Sequence, residues 1–190
     1  MAKGIIVRID WNDNKWEKPS NNLDNANNFG FVRDNNISHT SFNFAHEIYS
    51  PEPNGLWYGL IPAFGSKTPD PIKIRDLKVV FIISNYEHKD LIVGLYSFPI
   101  IGNSKRTIKV PNYIEYDWIN IGSDPKNILR IENYVDLENL NLKKAIGSKQ
   151  ISKQGWNYIE DENVGYIFDS IQKANPENEK LKQIKFRCLR

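Results

Sequence analysis

The sequence predicts an α+β domain built on a curved or closed mixed β-sheet, with helices packed against it. Three observations carry that prediction. Apolar, β-branched runs occupy residues 4–9, 78–84 and 90–100. Helical spacing of apolar residues begins only after residue 136. Strands therefore come first and helices last, with few of the βα alternations that mark a parallel doubly wound sheet. At 190 residues the chain suits one domain with a core that needs no covalent staples.

Taken in order, residues 4–9 read as a first strand. Residues 11–28 are polar and Asn-heavy and read as a long loop, the kind of segment that often carries function. A short strand is expected at 29–33. Residues 41–47 fit a helical turn or a strand equally well. Two prolines make 50–55 a connection, followed by a strand at 56–61 and a loop at 62–71. The runs at 78–84 and 90–100 flank the polar turn 85–89, which is a hairpin pattern with both strands largely buried. Further strands are expected at 107–110, 113–121 and 128–134. Asp136 is an N-cap candidate for a helix over 136–145, with Leu137 and Leu140 at helical spacing. Over 161–174, Val164, Ile167, Phe168 and Ile171 share one helical face, and Pro176 stops that helix. A last helix is expected at 177–189. Residues 1–175 form the predicted domain, and 176–190 a C-terminal helix that runs on without a cap, as if toward a linker or further domain of a longer parent.

Composition removes several function classes. Net charge is +2, so the total shows no strong polyanion footprint. Residues 101–190 carry 15 Lys and Arg against 12 Asp and Glu, while residues 1–100 carry 10 against 11, so any basic surface is expected in the second half. Cys188 is the single cysteine, which excludes an internal disulfide and a thiolate metal cluster and fits a reducing cytoplasm. No apolar run approaches the roughly 20 residues of a membrane helix. Neither phosphate-binding glycine motif occurs. His39 and His46 lie seven apart with no acidic residue at ligand spacing, and His88 falls in the hairpin turn. Asp10 and Asp13 flank Trp11, with nothing to identify a partner base or nucleophile. The sequence thus calls for no metal, cofactor or catalytic group.

Aromatic residues make up 12% of the chain, and several sit in or beside loops. Trp11 and Trp16 bracket the first polar loop. Trp57 and Tyr58 lie in Gly55-Leu56-Trp57-Tyr58-Gly59, where the glycines permit close backbone approach. Stacking on a nucleic-acid base is one use of such rings, with neutral side chains such as Ser84 and Asn85 reading the base edge. The competing use is packing, since tryptophan in a small β-rich domain is usually core and Ser-Asn favours turns. Two tryptophans five apart in a hydrophilic loop are hard to bury together, so one of them is expected to line a cleft.

The hairpin region also resembles a family. In EVE and YTH domains of the PUA-like superfamily, an acidic residue precedes a strand ending in Ser-Asn, and a second strand reads Ile-Val-Gly. Asp76, Ser84, Asn85 and Ile92-Val93-Gly94 fall in that order. The opening 4–10 with Trp16, and the closing segments 137–146, 147–153 and 155–159, look similar to the family's ends, so the resemblance touches residues 4–172. Ile82-Ile83 stands where the family has Tyr-His, Arg75 where it has glycine, and the segment 17–70 is longer. The resemblance implies a PUA-like fold, a strongly bent or closed barrel with packed helices, that binds nucleic acid. It implies that one modified, methylated base, flipped from duplex DNA, enters an aromatic pocket. Trp11, Trp16, Trp57, Tyr58, Ser84 and Asn85 are the pocket candidates, and Arg106, Lys149 and Lys153 the backbone contacts. Such domains look like the specificity modules of McrB-type modification-dependent restriction systems, in which a motor domain and a nuclease subunit do the rest. The alternatives are an RNA-binding PUA-like protein, a PUA-related enzyme, and an interaction module without base readout.

Overall fold

A computed structural model describes residues 2–20, 38, 40–104, 119–148 and 150–190. The expected strands at 29–33 and 107–110, His39, and the proposed backbone contacts Arg106 and Lys149 lie outside the described residues.

The architecture is mixed α+β in layers. A five-stranded sheet has the order β7-β4-β3-β1-β8. Its strands are β1 (Gly4–Ile9), β3 (Val79–Tyr86), β4 (Lys89–Ser97), β7 (Ile128–Asp136) and β8 (Trp156–Ile159). Among the described strand pairs of this sheet, β1 and β3 run parallel and the others are antiparallel. A three-stranded sheet, β2-β6-β5, is built from β2 (Trp57–Gly59), β5 (Ile100–Ser104) and β6 (Ile119–Ser123). Among the described residues the strands form these two ladders and not one closed barrel. The sheets meet where Ser123 Oγ donates to the Ser97 carbonyl at 2.7 Å.

Both faces of the large sheet are covered, which is why its strands read as unbroken apolar runs. On one face Ile6, Val79, Phe81 and Ile83 pack against two helices, α3 (Asp161–Ala174) and α4 (Glu179–Cys188). Phe81 and Phe168 meet edge to face at 5.1 Å. α4 buries Leu181, Ile184 and Cys188 in this same cluster. On the other face Ile5, Val7, Ile9, Val80 and Ile82 pack against the small sheet and the loops. Among the described residues no helix is long and apolar enough to cross a membrane.

Several elements differ from expectation for local reasons. The run 90–100 breaks at Phe98, whose left-handed φ of 47° precedes Pro99, so β4 ends at Ser97 and a separate β5 begins. In the segment expected as a loop, Pro62 supplies the N-terminus of a short helix, α1 (Pro62–Ser66). Residues 41–47 resolve into turns ending in a 3-10 turn, Ala45–Glu47. The helix expected over 136–145 is shorter. Asp136 caps a 3-10 turn at Leu137–Asn139, and α2 (Leu142–Ile146) starts at the Asn141 cap. Gly147, left-handed at φ 68°, ends it. Gly147, Ser148 and residues 150–153 form no strand; β8 follows at Trp156. Where β4 carries Ile92-Val93-Gly94, the register with β3 shifts, so Val93 is the extra residue of a bulge. A Cβ on Gly94 would sit 2.6 Å from the Leu129 carbonyl and against the Phe44 ring, so only glycine fits.

Candidate functional site

β1 and β3 run side by side to a common end, with Ile9 opposite Ser84. Beyond that end the chain of β1 turns into the polar loop, and the chain of β3 turns back through the hairpin. The loop folds on itself. Asn12 Oδ1 accepts the Asn14 amide at 2.7 Å, and Asn12 Nδ2 donates to the Lys18 carbonyl at 2.9 Å. Lys15 and Trp16 adopt left-handed backbone, with φ of 59° and 57°. This turn drives the Trp16 ring fully into the core, where its Nε1 donates to the Asp10 carbonyl at 2.8 Å.

Burying Trp16 leaves Trp11 above it, edge to face at 5.5 Å. Trp11 is half-buried and forms part of a cleft of about 930 Å³. The floor of the cleft is the end of β1, from Arg8 to Trp11. One wall is the hairpin tip, Asn85 to His88; the other is formed by Pro62 and Ala63 of α1 with Lys153, Gln154 and Gly155. The tip is a two-residue loop in which Glu87 and His88 both have positive φ, 48° and 66°, the geometry that matches strand twist in tight hairpins. It lays Tyr86, 42% exposed, against Trp11, with ring centroids 4.4 Å apart and planes at 32°.

The polar groups around this pair are connected. Trp11 Nε1 donates to Asp13 Oδ1 at 2.7 Å. A hydrogen bond to Glu87, and then its charge, hold the Tyr86 phenol above its ordinary pKa. At the rim Asp90 accepts from Arg8 Nη2 at 2.6 Å and from Asn85 Nδ2 at 3.1 Å, fixing both side chains. Burial raises the Asp10 carboxyl above the usual carboxylate range, and a hydrogen bond donated by Ser38 Oγ at 3.1 Å opposes that shift.

The structure therefore gathers Trp11, Asn85 and Lys153 at one cleft and leaves the other described candidates elsewhere. Trp16 is core. Trp57 and Tyr58 lie in the small sheet opposite Ser123 and Gly122 and pack in the core, with the Tyr58 hydroxyl accepting from Asn54. Ser84 is buried and donates to the Ile9 carbonyl at 3.1 Å, tying β3 to β1 and not facing a ligand. The reason is common to all four: each lies on a strand or turn whose side chain points between layers. Sequence reasoning missed Arg8, Tyr86 and Glu87. Arg8 had a signal, a charged residue inside an otherwise apolar strand, and is the one exposed position of β1. Tyr86 had a weaker one, an aromatic beside a tight turn.

Compared with protein-family models, with curated proteins and with solved structures, the chain finds no match in any of the three. What the fold and site define is a mixed α+β protein with an aromatic-walled cleft at the shared end of its two parallel strands.

Proposed function

We propose that this chain is a nucleic-acid reader that takes one base, flipped out of duplex DNA, into the cleft beside Trp11. The observation that carries this is the Trp11–Tyr86 pair, partly exposed at 4.4 Å separation, in a cleft that also presents Asn85. Stacking a base on such a surface contributes about 1–3 kcal/mol, which offsets part of the unstacking cost of flipping. The incoming ring stacks against Tyr86 or parts the pair. The fold we propose is PUA-like, of the EVE/YTH type. Support comes from residues of the resembling phrase: Ser84 ties β3 to β1, Asn85 sits at the rim, and Val93-Gly94 form the bulge of β4. Lys153, exposed at the cleft wall, is the proposed phosphate contact. In this reading the domain directs a modification-dependent restriction system, whose motor and nuclease are separate parts.

Polarisation titrations with duplexes carrying methylated adenine, methylated cytosine or neither test the reading. A modified duplex binds more tightly than the plain one, and Trp11→Ala erases the difference. Equal affinity for all duplexes overturns it. Single-stranded RNA in the same series separates out the RNA-binding alternative, and Lys153→Glu lowers affinity for every sequence alike while flattening the salt dependence.

A further inference from the structure

The charges around the cleft are unusual for a site meant to hold a polyanion. Among the described residues, the carboxylates of Asp10, Asp13 and Glu87 face two cations, Arg8 and Lys153, and Arg8 is already paired with Asp90. A phosphate lying in the cleft meets net repulsion, so phosphates belong at the rim and a ring belongs inside. The carboxylates also act on the aromatic pair. Trp11 gives its indole N–H to Asp13, and the Glu87 carboxylate stands next to Tyr86 at the hairpin tip and lines the same cleft. Donating to an anion pushes electron density into a ring, which makes its face more negative and strengthens its attraction for a cation. The Trp11 face is tuned in this way by Asp13, and Glu87, from a different segment, adds a second negative charge beside Tyr86. Asp10 adds a third carboxylate to the cleft lining, and burial raises its proton affinity while the Ser38 hydrogen bond opposes that shift.

Resting on the reading of this cleft as a base pocket, we infer that it selects a positively charged, ring-N-alkylated base over a neutral one. Bases of this class include 1-methyladenine and 3-methylcytosine, where methylation of a ring nitrogen leaves the heterocycle cationic. Such a ring combines stacking, cation–π attraction and proximity to the carboxylates. A neutral base methylated on its exocyclic nitrogen or on carbon gains the stacking alone.

Nucleosides test this without the phosphate contribution. Quenching of tryptophan fluorescence is titrated near neutral pH with 1-methyladenosine and 3-methylcytidine, and in parallel with N6-methyladenosine, 5-methylcytidine and the unmodified nucleosides. The cationic pair binds at least about tenfold more tightly than its neutral isomers. The double variant Asp13→Asn, Glu87→Gln removes that preference while leaving neutral-nucleoside binding in place; both positions are exposed, so the fold is not at risk. Neutral isomers binding as well as the cationic ones overturn the inference and leave the base-pocket reading standing. Preference that survives in the double variant overturns it too. If no nucleoside binds, and no modified duplex binds either, the base-pocket reading falls and takes this inference with it.

Discussion

The two faces of the large sheet are made in different ways. The helix-covered face is almost purely apolar: Ile6, Val79, Phe81, Ile83 and Ile92 meet Val164, Ile167, Phe168 and Ile171. The opposite face holds buried Trp16, Trp57, Trp156 and Tyr96, with buried Asn43 and Asn120 bonded to the chain at Leu60 and Ile61. The helix side can be closed by periodic secondary structure, which satisfies its own backbone. The other side is closed by loops and three short strands, whose backbone groups need partners from side chains. Asn43 brackets Leu60, accepting from its N–H and donating to its C=O, both at 2.9 Å. Asn120 does the same for Ile61, both at 2.8 Å. Tyr96 donates its hydroxyl to the Asn43 carbonyl in the same network. Cohesion is therefore apolar burial on one face and burial plus specific hydrogen bonds on the other. The cleft opens at the edge of the second face, where loops already replace regular structure.

The largest expected effect tests the first half of that contrast. Phe168→Ala empties a fully buried site against Phe81 and costs about 3–5 kcal/mol. Trp16→Ala costs a similar amount on the other face, because its ring is equally buried. Trp11→Ala, by contrast, removes a half-buried ring and costs no more than about 1–2 kcal/mol, so a folded variant remains for binding work. Urea denaturation of the three variants checks this. A Trp11 variant as unstable as the Trp16 variant makes both tryptophans structural.

The same contrast explains what could be read from the residues. The hairpin and α3 were legible because buried strands and amphipathic helices write their burial into local periodicity. The small sheet was only partly legible. β2 is three residues long, and the Asn43 and Asn120 brackets join positions 17 and 59 apart, a pairing no local pattern encodes. Phe98 and Trp16 take left-handed backbone with aromatic side chains, against local preference. The expectation that one of Trp11 and Trp16 lines a cleft followed from polarity. Which of the two does so depended on that unusual turn, and that is why Trp16 stood among the pocket candidates.

Next in size is the hydrogen-bonded bracket. Asn120→Ala leaves the Ile61 N–H and C=O buried without partners, at a cost of about 2–4 kcal/mol. Thermal unfolding measures it. A loss below that of an ordinary surface substitution means water enters and replaces the amide, and the second face is then wetter than its geometry suggests.

Acid sharpens the comparison, because a titratable misfit follows Phe44 and Ala45, which pack on the second face. His46 is buried, and among the described residues neither ring nitrogen has a hydrogen-bond partner. Burial first, then the charge of Lys180, lower its pKa from 6.5 to about 4, although Glu47 opposes them. The folded protein therefore holds His46 neutral at a pH where the unfolded chain binds a proton. Stability contributed by the neutral ring is present above pH 6.5 and is lost as pH falls toward 4. The loss reaches about 3 kcal/mol at the lower end of that window. His46→Leu keeps the volume and removes this part of the acid slope. An unchanged slope assigns the acid sensitivity to other groups.

The smallest effect lies at the cleft itself. Glu87 and His88 occupy the two central positions of the hairpin loop with left-handed backbone, where Asn-Gly is the relaxed choice. A left-handed residue with a Cβ costs roughly 1–2 kcal/mol, part of which glycine returns through its larger unfolded-state entropy. His88→Gly therefore raises stability by about 0.5–1 kcal/mol, seen as a small increase in Tm. Strain retained at a cleft wall, where a glycine would relieve it, is the pattern expected when side chains at those positions have a use. The informative result is the pair of measurements. Higher stability with weaker ligand binding identifies His88 as a contact that the fold tolerates at some cost. Higher stability with unchanged binding leaves the tip as a holder for Tyr86 and Glu87 alone. A drop in stability shows that the His88 side chain packs well enough to outweigh its backbone, and then the hairpin tip belongs with the well-packed regions of the molecule.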